Sequence, residues 1–278
     1  MTARLEALPL SGGILLVGAG KMGGAMLRGW LEHGLPAEKV VVHDPSPPEE
    51  IAELIGHWGV ATGLEACKGR DFQAVVLAVK PQAMADVIPP IQYFRGVDTV
   101  VISVAAGWTI ANFIERFGPD AAIVRVMPNT PAAIGRGMMV ACPNGNVTDK
   151  HRALCDALIA ANGETAWIDD ESLMDAVTAV SGSGPAYVFL LADTLAEAGK
   201  AAGLPASLAN RLARQTVAGA GELLYRETVD PATLRKNVTS PGGTTAAALS
   251  VLMADDGLAL LMKRAVAAAK KRGEELQD

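Results

Sequence analysis

The feature that most constrains the fold is a short apolar run, residues 14–17, that leads directly into Gly18-Ala19-Gly20-Lys21-Met22-Gly23 and then into a helical pattern over 22–33. The first glycine of such a pattern permits a tight turn. The second lets backbone come close to a ligand, and the third lets the helix pack tightly on its strand. The start of the helix adds free backbone N–H groups and the positive end of its dipole. Strand, glycine turn and helix together imply a βαβ unit, with Gly18, Ala19, Gly20, Lys21, Met22 and Gly23 around a dinucleotide pyrophosphate. A glycine turn without a ligand is the alternative.

The alternation continues. Residues 39–43, 74–79 and 100–104 read as strands, 123–127 and 138–141 as shorter ones, and 48–58 as a helix. A parallel sheet with helices on both faces follows. After residue 168 the strands stop. Helices are predicted over 185–202, 207–225, 231–237, 244–253 and 257–276, set apart by Gly184-Pro185, Gly203-Leu204-Pro205, Asp230-Pro231 and Asp255-Asp256-Gly257. The expected class is α/β: a Rossmann-type dinucleotide-binding domain over 1–168, then an all-α substrate-binding and dimerisation domain over 169–278, with Asp169-Asp170-Glu171 at the boundary. No internal repeat or low-complexity tail interrupts this plan.

The helical half is rich in small residues, as in Ala218-Gly219-Ala220-Gly221 and 265–269, and aromatics make up only 4% of the 278 residues. So little bulk predicts a core completed against a second copy of the chain. The net charge of −6 argues against a nucleic-acid partner. Cys67, Cys142 and Cys155 form no CxxC pair, which suits a reducing compartment. His33, His43, His57 and His151 show no metal-ligand spacing, so no metal is expected. Residues 1–13 lack the pattern of a secretory leader. The apolar stretch 99–114 is broken by Gly107 and Asn112 and reads as a buried strand plus turn, not a membrane span. A cytoplasmic protein with no membrane partner is the expectation.

Ligands of open α/β sheets sit beyond the carboxyl ends of the strands, so the residues there are candidates. Asp44 lies 26 residues past Gly18, near the spacing for an acid on an adenosine ribose 2′-OH. No Lys or Arg follows until Lys68, which taken alone favours NADH over NADPH. Asp44 as an ordinary loop cap, and Ser46 as a phosphate contact, stay open. Ala78, Val79, Lys80 and Pro81 should border the cofactor, with Lys80 either near the phosphates or ribose or simply solvated. Val104, Ala105 and Ala106 would let a nicotinamide lie close to backbone. Asn129, in the proline-bracketed turn 127–131, is either a polar contact or turn chemistry. Tyr187, in the loop opening the helical half, either faces the site or is buried with its hydroxyl paired.

A second anion site appears at Ser240-Pro241-Gly242-Gly243-Thr244-Thr245, where a tight turn enters a good helix former with two hydroxyls in its first turn. Free N–H donors and hydroxyls around one small volume suit a small carboxylate. A chain with both sites reads as a reductase of a small carboxylated substrate.

These segments, together with Arg125-Val126-Met127-Pro128-Asn129-Thr130-Pro131 and Asp175-Ala176-Val177-Thr178 through Tyr187, occur in an order that resembles the pyrroline-5-carboxylate reductase family over nearly the whole chain. The resemblance implies hydride transfer from NADPH or NADH to the imine carbon that becomes C5 of L-proline, the last step of proline biosynthesis. It implies that Thr245 hydrogen-bonds the ring nitrogen and that Ser240, Gly242, Gly243 and Thr244 hold the carboxylate. It puts Glu171 beside substrate and nicotinamide, so that Thr245 and Glu171 are the catalytic candidates. It also implies a homodimer of intertwined helical domains, often assembled into a ring such as a decamer. The chain offers Glu65 beside Asp44 where a 2′-phosphate would sit, which leaves cofactor choice open.

A protonated cyclic imine is already electrophilic, and reduction leaves a neutral amine. The site then needs positioning more than a strong acid. A 3-hydroxyacid dehydrogenase of the same plan would need a Lys or His on the first long helix of the second domain. None occurs between Ser181 and Gly199. A non-catalytic dinucleotide sensor would have no use for the hydroxyl-rich turn at 240–245.

Overall fold

A computed structural model describes residue 5 and residues 10–276. The leader reading over 1–13 therefore falls largely outside the described residues. Eight strands form one sheet: β1 (Gly13–Val17), β2 (Val40–His43), β3 (Ala61–Thr62), β4 (Phe72–Leu77), β5 (Val100–Ser103), β6 (Ala122–Met127), β7 (Gly137–Pro143) and β8 (Gly163–Trp167). Their order is β3-β2-β1-β4-β5-β6-β7-β8. Every neighbouring pair is parallel except β6 with β7. The chain winds outward from β1 through β2 to β3, then returns to β4 on the other side of β1. The crevice beyond the carboxyl ends of β1 and β4 is thus the switch point where such sheets bind ligands.

Successive strand residues point to opposite faces, and both faces are covered. Ile14, Leu16, Val40, Val42, Val76 and Ile102 pack under helices α1 (Lys21–Glu32), α2 (Glu49–Trp58) and α5 (Asp149–Ala160), through Met26, Trp30, Ile51, Leu154 and Leu158. The Trp30 indole N–H also donates to the Leu158 carbonyl at 2.8 Å, so the largest buried side chain has a polar partner. Leu15, Val17, Val41, Val75, Leu77 and Val101 pack under α3 (Met84–Ile91) and α4 (Ile110–Phe117), through Met84, Ile88, Phe113 and Phe117.

Three of these helices escaped the sequence reading. In α3 the pair Pro89-Pro90 reads as a breaker, yet it falls in the last turns, and Met84, Ile88 and Ile91 keep a helical spacing. Helices α4 and α5 begin with capping boxes, Thr109 with Asn112 and Thr148 with His151. The stretch 99–114 is accordingly corrected: strand β5 and a turn lead into helix from Ile110, not into a turn alone. Among the described residues no helix is long and apolar enough to cross a membrane.

Beyond β8 come α6 (Met174–Val177), a wider helical turn over Thr178–Gly182, α7 (Gly184–Ala201), α8 (Ala206–Arg226), α9 (Pro231–Asn237), α10 (Thr244–Leu252) and α11 (Leu258–Glu275). The chain divides into two packing units. One runs through Gly182 and takes in the described residues from Lys270; the other is Ser183–Ala269. Strand pattern changes near residue 168, whereas packing changes after Gly182, because Met174 and Val177 pack with Met127, Cys142 and Ile168 of the sheet-bearing unit.

Candidate active site

The carboxyl ends of four strands are stitched together by backbone hydrogen bonds. Gly18 N–H donates to the His43 carbonyl (2.9 Å), Ala78 N–H to Val17 (2.8 Å), and Val104 N–H to Leu77 (3.0 Å). Each glycine of the motif meets a different demand. Gly18 has φ +87, and a Cβ there would lie 2.7 Å from Val79 Cγ1 and 2.8 Å from the Ala78 carbonyl oxygen. A Cβ on Gly23 would lie 2.1 Å from the Gly18 carbonyl oxygen. A Cβ on Gly20 would meet nothing within 4 Å, so this backbone faces open space. Gly20 is also the N-cap of α1 and brings no side-chain acceptor, and the first turn holds no acid. Donors left free on the open side of a tightly packed loop fit a pyrophosphate.

Asp44 sits just past β2. Its Oδ2 accepts from Ala19 N–H at 2.6 Å and its Oδ1 from Ser46 N–H at 2.9 Å. The loop-cap role is therefore present, and it pins the carboxylate at the mouth of the β1–β2 crevice, with Ser46 beside it. Ala78 and Val79 are half-buried and Lys80 is exposed. The Trp108 indole N–H donates to the Pro81 carbonyl at 3.2 Å, which ties the turn after β4 to the turn after β5. Within that second turn Ala105 is buried and Ala106 exposed, and Ala105 N–H reaches Ser103 Oγ at 3.3 Å. Asn129 engages both ends of its amide: Nδ2 donates to the Ser181 carbonyl (3.1 Å), and Oδ1 accepts from Met138 N–H (2.9 Å). Its side chain holds the 127–131 turn in place.

Glu171 is bound on the same side of the sheet. Its Oε1 accepts from Arg125 and from Ile110 N–H (2.7 Å), the latter in the first turn of α4. Arg125 lies in β6 with only 3% of its side chain exposed, against 30% for Glu171. The Arg125 Nε has no partner. Arg125 was not singled out in the sequence, although a charge within an apolar strand signals a buried partner. Its strand neighbour Cys142 is a buried thiol. Burial chiefly, and Glu171 second, push that thiol up to about 11.

In the second unit, Ser240, Gly242 and Thr244 are exposed and Gly243 and Thr245 half-buried. Gly242 takes φ +70, and Gly243 N–H closes the turn on the Ser240 carbonyl at 3.0 Å. Gly243 caps α10 without a side-chain acceptor, so Thr244 and Thr245 stand in a first turn whose amides are uncapped by any side chain. Tyr187, in the first turn of α7, is half-buried.

Residues 171–276 match the family described as pyrroline-5-carboxylate reductase dimerisation, and residues 13–107 match NADP oxidoreductase coenzyme F420-dependent. The pyrroline-5-carboxylate reductase of Pseudomonas aeruginosa is 38% identical, over 95% of this chain and 97% of its own. The Arabidopsis thaliana enzyme is 38% identical over 99% and 100%. A solved pyrroline-5-carboxylate reductase from Coxiella burnetii superposes with a TM-score of 0.89 at 31% identity, covering 97% of this chain and all 100% of that one. A Plasmodium falciparum pyrroline carboxylate reductase solved with NADP bound gives a TM-score of 0.79 at 28% identity, covering 96% and 99%.

Proposed function

The chain belongs to the pyrroline-5-carboxylate reductase family, and from that membership we propose how its own residues carry the reaction. The activity is an NAD(P)H-dependent reduction of the cyclic imine 1-pyrroline-5-carboxylate to L-proline, the last step of proline biosynthesis. When bound, the reduced nicotinamide supplies the hydride to the imine carbon. Gly18 to Gly23 hold the pyrophosphate, Asp44 and Ser46 flank the adenosine ribose, and Lys80 lies on the phosphate side. Ala78, Val79, Pro81, Val104, Ala105 and Ala106 line the nicotinamide half. Asn129 keeps the last turn of that wall in shape.

Ser240, Gly242, Gly243 and Thr244 bind the substrate carboxylate with hydroxyl and backbone donors. Thr245 hydrogen-bonds the ring nitrogen, orients it, and relays its proton. Glu171 lies beside the iminium and also holds α4 and Arg125 in register. Orientation is the main contribution, since no alkoxide forms and no strong acid is called for. The observation that carries this reading is the pair of helix starts without a side-chain cap, each opened by a glycine turn: α1 after Gly20 and α10 after Gly243.

The chain forms an oligomer. We take its unit to be a homodimer made through Ser183–Ala269, with a larger ring such as a decamer built from it. Functionally, 1–168 is the dinucleotide-binding domain and 169–278 the substrate-binding and dimerisation domain. Three buried free thiols fit a cytoplasmic location. Loss of nicotinamide absorbance on adding pyrroline-5-carboxylate tests the assignment, with Thr245→Ala alongside. Turnover in the parent and a sharp fall in the variant are expected. No turnover in the parent would favour a coenzyme sensor, and unchanged turnover in the variant would remove Thr245 from the mechanism.

A further inference from the structure

We propose that this chain selects NADH over NADPH, and that Asp44 acting with the Glu65–Lys68 pair is the selecting element. The inference rests on the reductase reading and adds the coenzyme it prefers.

Three observations converge on the outer end of the dinucleotide crevice. Asp44 is the first residue past β2, beside the glycine turn, where the Gly18 N–H donates to the His43 carbonyl. Two backbone amides, Ala19 and Ser46, fix its carboxylate at 2.6 and 2.9 Å, so it cannot swing away from an incoming ribose without breaking both bonds. An ionised carboxylate has about four acceptor sites, so two remain for ribose hydroxyls, which are donors. A 2′-phosphate brings only acceptors and negative charge to the same place.

No arginine or lysine occurs between Lys39 and Lys68. Lys39 precedes β2, at the opposite end of the strand from Asp44, and its Nζ lies 3.4 Å from the Leu10 carbonyl. Lys68, the next cation in the sequence, is already paired. Its Nζ lies 2.6 Å from Glu65 Oε2. Glu65 stands in the turn Leu64–Cys67 that follows β3, and the Gly63 N–H before it donates to the Val42 carbonyl of β2. Glu65, in the turn after the strand that pairs with β2, thus neutralises the nearest following lysine and leaves the Asp44 end of the crevice without a free cation from residues 40–68.

The test is direct binding to the purified full-length oligomer without imine, by nicotinamide fluorescence, at pH 8, where an ordinary histidine is neutral. NADH should bind about tenfold more tightly than NADPH, as expected for one fixed charge facing a phosphate. Asp44→Asn should bring the ratio below threefold. Because Asp44 also anchors the glycine turn, Glu65→Gln serves as the second variant and leaves both Asp44 bonds in place. It should tighten NADPH about twofold to threefold while NADH stays unchanged, the effect being small because the Glu65 side chain is 85% exposed. Parent protein that binds NADPH within threefold of NADH, or more tightly, overturns the preference. An NADPH affinity untouched by Glu65→Gln removes the pair from the account. Binding of neither coenzyme would instead strike at the reductase reading.

Discussion

The two packing units are built on opposite principles. The sheet-bearing unit closes its own core: Trp30, Phe113, Met26, Leu77 and Met84 are fully buried within it. The helical unit, Ser183–Ala269, has only Ala196, Ala209 and Ala213 as buried hydrophobics among its described residues. Phe189 stays 67% exposed and Leu190 60% exposed, and Leu223, Leu224 and Leu261 lie open as well. Burying apolar surface is worth about 25 cal/mol per Å², so covering these side chains in an oligomer would add stability that the single chain lacks. One unit covers its own apolar surface; the other leaves much of it open.

Perturbations should therefore separate the units by their dependence on protein concentration. The largest effect is expected from Phe189→Asp with Leu190→Asp. Charges in that face should yield a monomer by light scattering and remove activity, while NADH still binds the sheet-bearing unit. An intact oligomer would contradict the contrast. Next, Glu171→Ala leaves the buried Arg125 without its partner and should cost about 3 kcal/mol in urea unfolding, equally at low and high protein concentration. Thr245→Ala follows, with turnover lowered about a hundredfold and coenzyme affinity unchanged. It reports on chemistry in the helical unit and not on its folding. Thr109→Ala removes the capping box of α4 and should cost about 1 kcal/mol, again independent of concentration. The smallest effect is an absence: at pH 8 Cys142 should resist alkylation in the native protein, since burial raises its thiol to about 11.

Much of the first unit was legible because its signals are local. The apolar run before Gly18, the glycine spacing and the alternation of strands need only neighbouring residues to be recognised. The hydroxyl-rich turn at 240–245 was legible for the same reason. What escaped reading depends on distant partners. Glu171 meets Arg125 across 46 positions, and Asn129 meets Ser181 across 52, so spacing alone could not show that these side chains hold turns in place. The outer strands β3 and β8 escaped too. Each is completed by pairing with β2 or β7 and carries little apolar pattern of its own. Pro89-Pro90 works locally against a helix, yet Met84, Ile88 and Ile91 bury one face of α3, so packing decides its conformation.

The central claim is hydride transfer from the coenzyme to a small cyclic imine acid. Reduced coenzyme carrying deuterium at C4, on the face from which hydride leaves, tests it most directly, with the proline formed from pyrroline-5-carboxylate analysed by mass spectrometry. The account predicts one deuterium per proline, located at C5, for each coenzyme oxidised. Coenzyme oxidation without labelled proline, or no proline at all, would contradict it.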